Sequence, residues 1–164
     1  WICGDSTALP NTLSSDLAVM TGNVAQVFVS DDSWLKTITH IKNVLKREGY
    51  FIFEVRNPTQ RAWLSWNREN TFQRIYVPEV GWVQGWCEVT NVVKDLVSFR
   101  WNYLFESTNE LIISDSTLRF KDRDEIEKSL MVSGFEMMEV RDAPDQPGME
   151  FVFVAKVCDK VKRE

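Results

Sequence analysis

The hydrophobic pattern changes period along the chain. Residues 16–20 (Asp-Leu-Ala-Val-Met) form a short apolar run closed by Thr21-Gly22-Asn23, the length and punctuation of a strand ending in a turn. Residues 23–29 are a short apolar span, a helical turn or a loop. Ser30-Asp31-Asp32-Ser33 then supplies N-cap residues ahead of Trp34, Ile38, Ile41 and Leu45. Their spacing of three and four predicts an amphipathic helix, with Lys36, Lys42 and Lys46 on its solvated face. Arg47-Glu48-Gly49 predicts the stop, with Gly49 just past the C-cap. Residues 50–55 are a near-continuous apolar run, as expected of a strand covered on both faces. Residues 16–56 therefore read as strand, crossover helix and second parallel strand. Open parallel sheets carry ligands beyond the carboxyl ends of their strands, which is where Thr21-Gly22-Asn23 and Glu54-Val55-Arg56-Asn57 fall.

The flanking segments read differently. Trp1-Ile2-Cys3 is apolar and β-prone, and Gly4-Asp5-Ser6 is a turn signal directly after it. A chain that opens inside a strand, with no initiator Met, is expected to be a piece of something longer. Residues 58–70, with Arg61, Trp63, Trp66 and Arg68, predict a short helix and loop. Three β-rich runs follow at about 72–92, 96–105 and 111–120, parted by compact turns. Val97, Phe99, Trp101, Tyr103 and Phe105 alternate with polar residues, which predicts an antiparallel meander with one buried face. Residues 122–132 return to helical spacing and Gly134 ends them; 135–140 and 149–157 are the last two strands. The expected organisation is a partial α/β core (1–58), an antiparallel insertion covering the strand ends as a lid (59–120), a closing helix and β-hairpin of the core (121–158), and a frayed charged tail (159–164).

Composition narrows the function. A chain of 164 residues fits one domain with a substantial core. Apolar residues are 44 % and charged residues 26 %, an ordinary soluble composition. A net charge of −5 with scattered basic residues argues against a nucleic-acid groove and for a small-molecule partner. No run approaches the roughly 18 apolar residues of a membrane helix. Cys3, Cys87 and Cys158 are odd in number, far apart and without a CxxC pair, so three reduced thiols in a cytoplasmic protein are expected, and no metal site. His40 is the single histidine. Its place in the crossover helix predicts a solvent-facing ring, which leaves no Ser-His or Cys-His catalytic pair. Asp31, Asp32, Asp122 and Asp124 sit at predicted helix starts, where the dipole favours them.

Several pieces, in order along the chain, resemble the class I S-adenosylmethionine-dependent methyltransferases. Gly4-Asp5-Ser6 with Leu9-Pro10 resembles the loop after that family's third strand. Residues 16–23 resemble its fourth strand and following loop, and residues 44–54 its L-(R/K)-x-G-G turn and fifth strand, with Glu48 in place of the first Gly. Leu118-Arg119-Phe120, Glu125 and Ser133-Gly134-Phe135 resemble the late helix and the start of the sixth strand; Phe151-Val152-Phe153-Val154-Ala155 resembles the seventh. The implied fold is a partial Rossmann-like methyltransferase sheet with an inserted antiparallel β-meander lid. The family's opening strand and Gly-rich loop have no counterpart; the seven glycines here are isolated.

The resemblance implies S-adenosylmethionine as cofactor. It also implies that Asp5 and Ser6 meet the adenine, and Thr21, Gly22 and Asn23 the methionine portion. Without it, Asp5 is equally a turn residue bonding its own backbone, and Gly22-Asn23 a plain strand-end turn. Glu54, Arg56 and Asn57, at the end of the fifth strand, are candidates for touching substrate, and a structural Glu-Arg pair is the competing reading. Trp101 and Tyr103 join Trp63, Trp66, Trp82 and Trp86 as either a substrate wall or plain core. The expected activity is methyl transfer to a small molecule, with two rivals: a non-catalytic binding or assembly module, and a different doubly wound enzyme. Methyl transfer requires no universal base, and none is assigned. With the family's first strand absent, residues 16–20 are expected to be an open edge, covered by residues 1–3 or by a second copy in a homodimer.

Overall fold

The computed structural model describes residues 2–10 and 12–158. Trp1 and the 159–164 tail lie outside the described residues. The chain divides into two compact units, residues 1–60 with 121–164, and residues 61–120.

In the first unit, β1 (Ser15–Met20) leads through a 3₁₀ turn (Val24–Val27) to α1 (Asp31–Val44), which runs directly into β2 (Leu45–Arg56). Ser30 caps α1 by accepting from the Ser33 amide, as the Ser-Asp-Asp-Ser run predicts. After the second unit come α3 (Arg123–Val132), β7 (Phe135–Asp142) and β8 (Glu150–Val157). Asp122 and Glu125 form a reciprocal capping box at the start of α3. The sheet order is β1-β2-β8-β7. β1 and β2 are parallel, while β8 is antiparallel to both β2 and β7.

Trp34, Ile38 and Ile41 of α1 and Ile126 and Leu130 of α3 share one core with Phe51, Phe53, Val55, Phe135, Phe153 and Ala155. The register pairs Phe53 with Phe153 and Phe51 with Ala155, so these strand residues occupy one face. Phe53 stacks on Phe153 at 5.1 Å and on Phe51 at 4.7 Å. On β2 the alternate residues Ile52, Glu54 and Arg56 are only half-buried. The expected covering of both faces is therefore not found: α1 and α3 both contribute to the core on the Phe51-Phe53-Val55 side.

Two further expectations are corrected. Gly49 does not follow the helix C-cap: α1 ends at Val44 with Leu45 as an extended C-cap, and the left-handed residue nearby is Glu48, at φ +64° within β2. Residues 46–49 instead bulge out of the β1–β2 ladder between the Ser15–Leu45 and Leu17–Tyr50 pairs. Gly49 is needed for close approach, since a Cβ there would stand 2.9 Å from the Lys46 carbonyl oxygen. Secondly, Ile2 and Cys3 form no strand and do not cover the edge of the sheet. Among the described residues β1 pairs with β2 alone, leaving Leu17 and Val19 50 % and 57 % exposed.

The second unit opens with a 3₁₀ turn (Ala62–Ser65) and a single helical turn, α2 (Arg68–Thr71), followed by β3 (Gln73–Val77), β4 (Gly81–Val93), β5 (Leu96–Phe105) and β6 (Glu110–Arg119) in an antiparallel sheet of that order. The first of the three expected β-rich runs is thus two strands, because Pro78 and Glu79, the latter at φ +67°, turn the chain between them. Trp63 and Trp66 pack on Phe120 at 4.5 and 6.1 Å, and Trp66 on Phe99 at 4.9 Å. The alternation on β5 is only half followed by burial. Val97 is buried, Tyr103 is exposed, and Asn102 on the opposite face is buried with its amide donated to Glu88.

Candidate functional site

The parallel pair β1–β2 ends at Met20 and Arg56, and a polar network gathers there. Gly22 adopts φ +70° and Asn23 φ +59°. Two left-handed residues in succession turn the chain sharply off β1, a conformation that Gly and Asn adopt at least cost. The Gly22 amide donates to Glu54 Oε1 at 2.6 Å, tying the loop after β1 to the end of β2. In front of Gly22 the space is open: a Cβ there would meet nothing within 4 Å.

Asn23 is buried, and its Nδ2 donates to Glu150 Oε1 at 2.8 Å. Its Oδ1 is buried with no hydrogen-bond partner, an arrangement that costs free energy wherever it persists. Glu150 heads β8 directly opposite Arg56. Gln26, 2 % exposed, accepts at Oε1 from the Arg56 backbone amide and from its Nη1 at 3.1 Å. Burial pushes the Arg56 guanidinium down, and the nearby Glu150 and Glu54 carboxylates oppose that shift.

The expected site residues are thus partly brought together. Gly22, Asn23, Glu54 and Arg56 converge at the strand ends, and Thr21 is exposed beside them. Asn57 is committed to loop structure: Nδ2 donates to the Gly148 carbonyl, and Oδ1 accepts from the Thr59 amide and hydroxyl. Asp5 caps its own 3₁₀ turn, accepting from the Thr7 amide at 2.8 Å and hydroxyl at 2.6 Å. Those two bonds, the hydroxyl first, hold its carboxyl below the usual range. Ser6 Oγ lies 3.4 Å from His40 Nδ1, so His40 is half-buried against this turn and does not face solvent as expected. Trp101 and Tyr103 belong to the second unit, their rings nearly parallel at 5.9 Å.

Two members of the network are underweighted by sequence. Gln26 lies in the ambiguous 23–29 span. Glu150 reads as an ordinary polar residue ahead of an apolar strand, although a carboxylate directly before Phe151-Val152-Phe153 is the available signal.

No family model matches the chain, and no curated protein matches it by sequence. Solved structures do match. An S-adenosylmethionine-dependent methyltransferase from Clostridium acetobutylicum superposes with TM-score 0.75 at 18 % identity, over 96 % of this chain and 64 % of its own. The sugar N-methyltransferase KedS8 from a Streptoalloteichus species gives 0.70 at 12 % identity, over 95 % and 61 %. S-adenosylmethionine-bound CalS10, an amino pentose methyltransferase from Micromonospora echinaspora, gives 0.65 at 13 %, over 94 % and 63 %. The chain carries a class I methyltransferase fold. It spans just under two thirds of the length of these structures.

The residues present suit the cofactor on two counts. Gly22 leaves its backbone open to close approach, and Asn23 holds a buried acceptor in the same loop.

Proposed function

We propose that this chain is part of an S-adenosylmethionine-dependent methyltransferase acting on a small molecule. The observation that carries the proposal is the Thr21-Gly22-Asn23 loop. It is held open at the carboxyl end of a parallel strand pair by the bonds Gly22 to Glu54 and Asn23 to Glu150. When bound, the cofactor supplies an electrophilic methyl group on a sulfonium. The chain's contribution is positioning and exclusion of water. Thr21, Gly22 and Asn23 fix one end of the cofactor and Asp5 and Ser6 the other. Glu54 acts through the loop it fastens. Arg56 is the proposed substrate contact at the strand ends; Trp101 and Tyr103 are proposed ligand contacts of residues 59–120, the proposed substrate-binding insertion. The sugar and amino pentose methyltransferases among the structural matches support a small-molecule acceptor. Among the described residues no helix is long and apolar enough to cross a membrane. Cys3, Cys87 and Cys158, far apart in sequence and without a CxxC pair, suit a cytoplasmic setting.

The second reading is a non-catalytic assembly module. The bare outer edge of β1, with Leu17 and Val19 half exposed, favours it, because such an edge recruits another strand. A second copy there would give a homodimer. Isothermal titration with S-adenosylhomocysteine separates the two. The methyltransferase reading expects saturable heat that Gly22→Val removes. No heat, together with a dimer in light scattering that Val19→Lys converts to monomer, selects the assembly module.

A further inference from the structure

The four-stranded sheet of the second unit has two chemically distinct faces. One carries ion pairs: Arg74 with Glu106 at 2.7 Å, and Arg100 with Asp115 at 2.7 Å. On the other, the register aligns Gln73, Gly85 and Tyr103 across β3, β4 and β5, with Ile75 beside Val83 in the next aligned row. Gly85 sits at the centre of that row. A residue without a side chain in a central strand weakens it and commonly marks a place where something else approaches. Here it opens a hollow of about 350 Å³, within the lower part of the range of small-molecule pockets, about 300–1,000 Å³.

The lining decides what fits. Ile75, Val77 and Val83 form an aliphatic side, Trp101 and Tyr103 an aromatic one, and no charged residue borders the hollow. The Trp101 and Tyr103 rings lie 14° from parallel, and the Tyr103 ring stands 3.6 Å from where a Gly85 Cβ would be. Gln73, Tyr103 and Trp101 are the lining residues whose side chains carry a polar group. An ion would enter without a countercharge. A polyhydroxylated ring would press hydroxyls on Ile75, Val77 and Val83 with nothing to bond them. A flat, uncharged ring meets both walls and leaves one substituent for Gln73.

We infer that this hollow binds an uncharged aromatic ring carrying one hydrogen-bonding substituent, the phenol class.

Equilibrium dialysis of the chain against p-cresol, methyl α-glucopyranoside and p-toluate tests the inference. Expected is saturable p-cresol binding, with the glucoside and the carboxylate each weaker by about tenfold or more, the discrimination that unpaired polar groups impose. Gly85→Val fills the hollow with a residue suited to a strand and should remove p-cresol binding without lowering the melting temperature. Trp101→Ala should weaken binding by about tenfold, a loss within the range of removing one aromatic contact. Absence of p-cresol binding, equal binding of the glucoside or the carboxylate, or p-cresol binding that survives Gly85→Val in folded protein overturns the inference. Titration with S-adenosylhomocysteine on the same samples keeps the two readings apart. Binding of the analogue without p-cresol rejects the hollow alone.

Discussion

Asn23 donates its side-chain amide to the Glu150 carboxylate at 2.8 Å, joining the loop after β1 to the first residue of β8 across 127 positions of sequence. Both side chains are buried, and Glu150 also faces Arg56 across the β2–β8 ladder. Removing the acceptor leaves a buried amide unpaired, which costs about 1–3 kcal/mol. Glu150→Ala should therefore lower stability in urea denaturation by that amount. Glu150→Gln keeps an acceptor for Asn23 and should lose less. Equal losses in the two variants would place the effect in the charge facing Arg56 instead of the Asn23 bond.

Trp34 is the largest fully buried side chain of the first unit. Its ring lies 5.9 Å from Phe28 and 5.5 Å from Phe53, and its Nε1 donates to Ser129 Oγ on α3 at 2.8 Å. Trp34→Ala combines lost burial with a cavity and should cost about 3–5 kcal/mol. Ser129→Ala removes only the acceptor and should cost about 0.5–1.5 kcal/mol. Chemical denaturation of the two variants checks the ordering.

Glu106 accepts from Arg74 and Gln84, the Arg74 bond contributing most, and its carboxyl is pulled from 4.5 down to about 2. A carboxyl depressed on folding contributes stability that is full above its unfolded value and is lost as pH falls toward its folded value. The window is therefore from 4.5 down to about 2. Melting temperatures across that window should fall more steeply for the wild-type chain than for Glu106→Gln, and the two curves should run parallel above it.

Glu48 holds a left-handed conformation and pairs with Lys156 at an exposed site. An exposed ion pair contributes little, whereas relieving left-handed strain with glycine gains more. Glu48→Gly should raise the melting temperature despite the lost pair, and the difference should widen at high salt if the pair was contributing.

The parallel strands, the crossover helix and the closing β-pair were legible because each carries a strong local signal. These signals are the three-and-four spacing of Trp34, Ile38 and Ile41, the helical spacing of residues 122–132 closed by Gly134, and the apolar runs around Phe51 and Phe153. The loop at Gly22 and Asn23 was legible for the same reason, since those residue types mark left-handed backbone. What the sequence concealed depends on contacts made at a distance. Nothing local shows that Glu150 meets Asn23, that Gln26 turns inward to Arg56, or that Asn57 is committed to the 148–149 loop. The place of Gly49 was hidden because glycine's usual helix-end role masked a close approach to the Lys46 carbonyl. The split of the first antiparallel run at Pro78-Glu79 carried a visible proline, outweighed by the apolar residues on either side of it.

The central claim is that the Thr21-Gly22-Asn23 loop receives S-adenosylmethionine. Heteronuclear NMR of the labelled chain, titrated with S-adenosylhomocysteine and followed at the Gly22 amide, tests it most directly. Expected is a saturable shift at Gly22 and Asn23, lost when Glu54→Ala releases the loop. An unmoved Gly22 resonance at saturating analogue would contradict it.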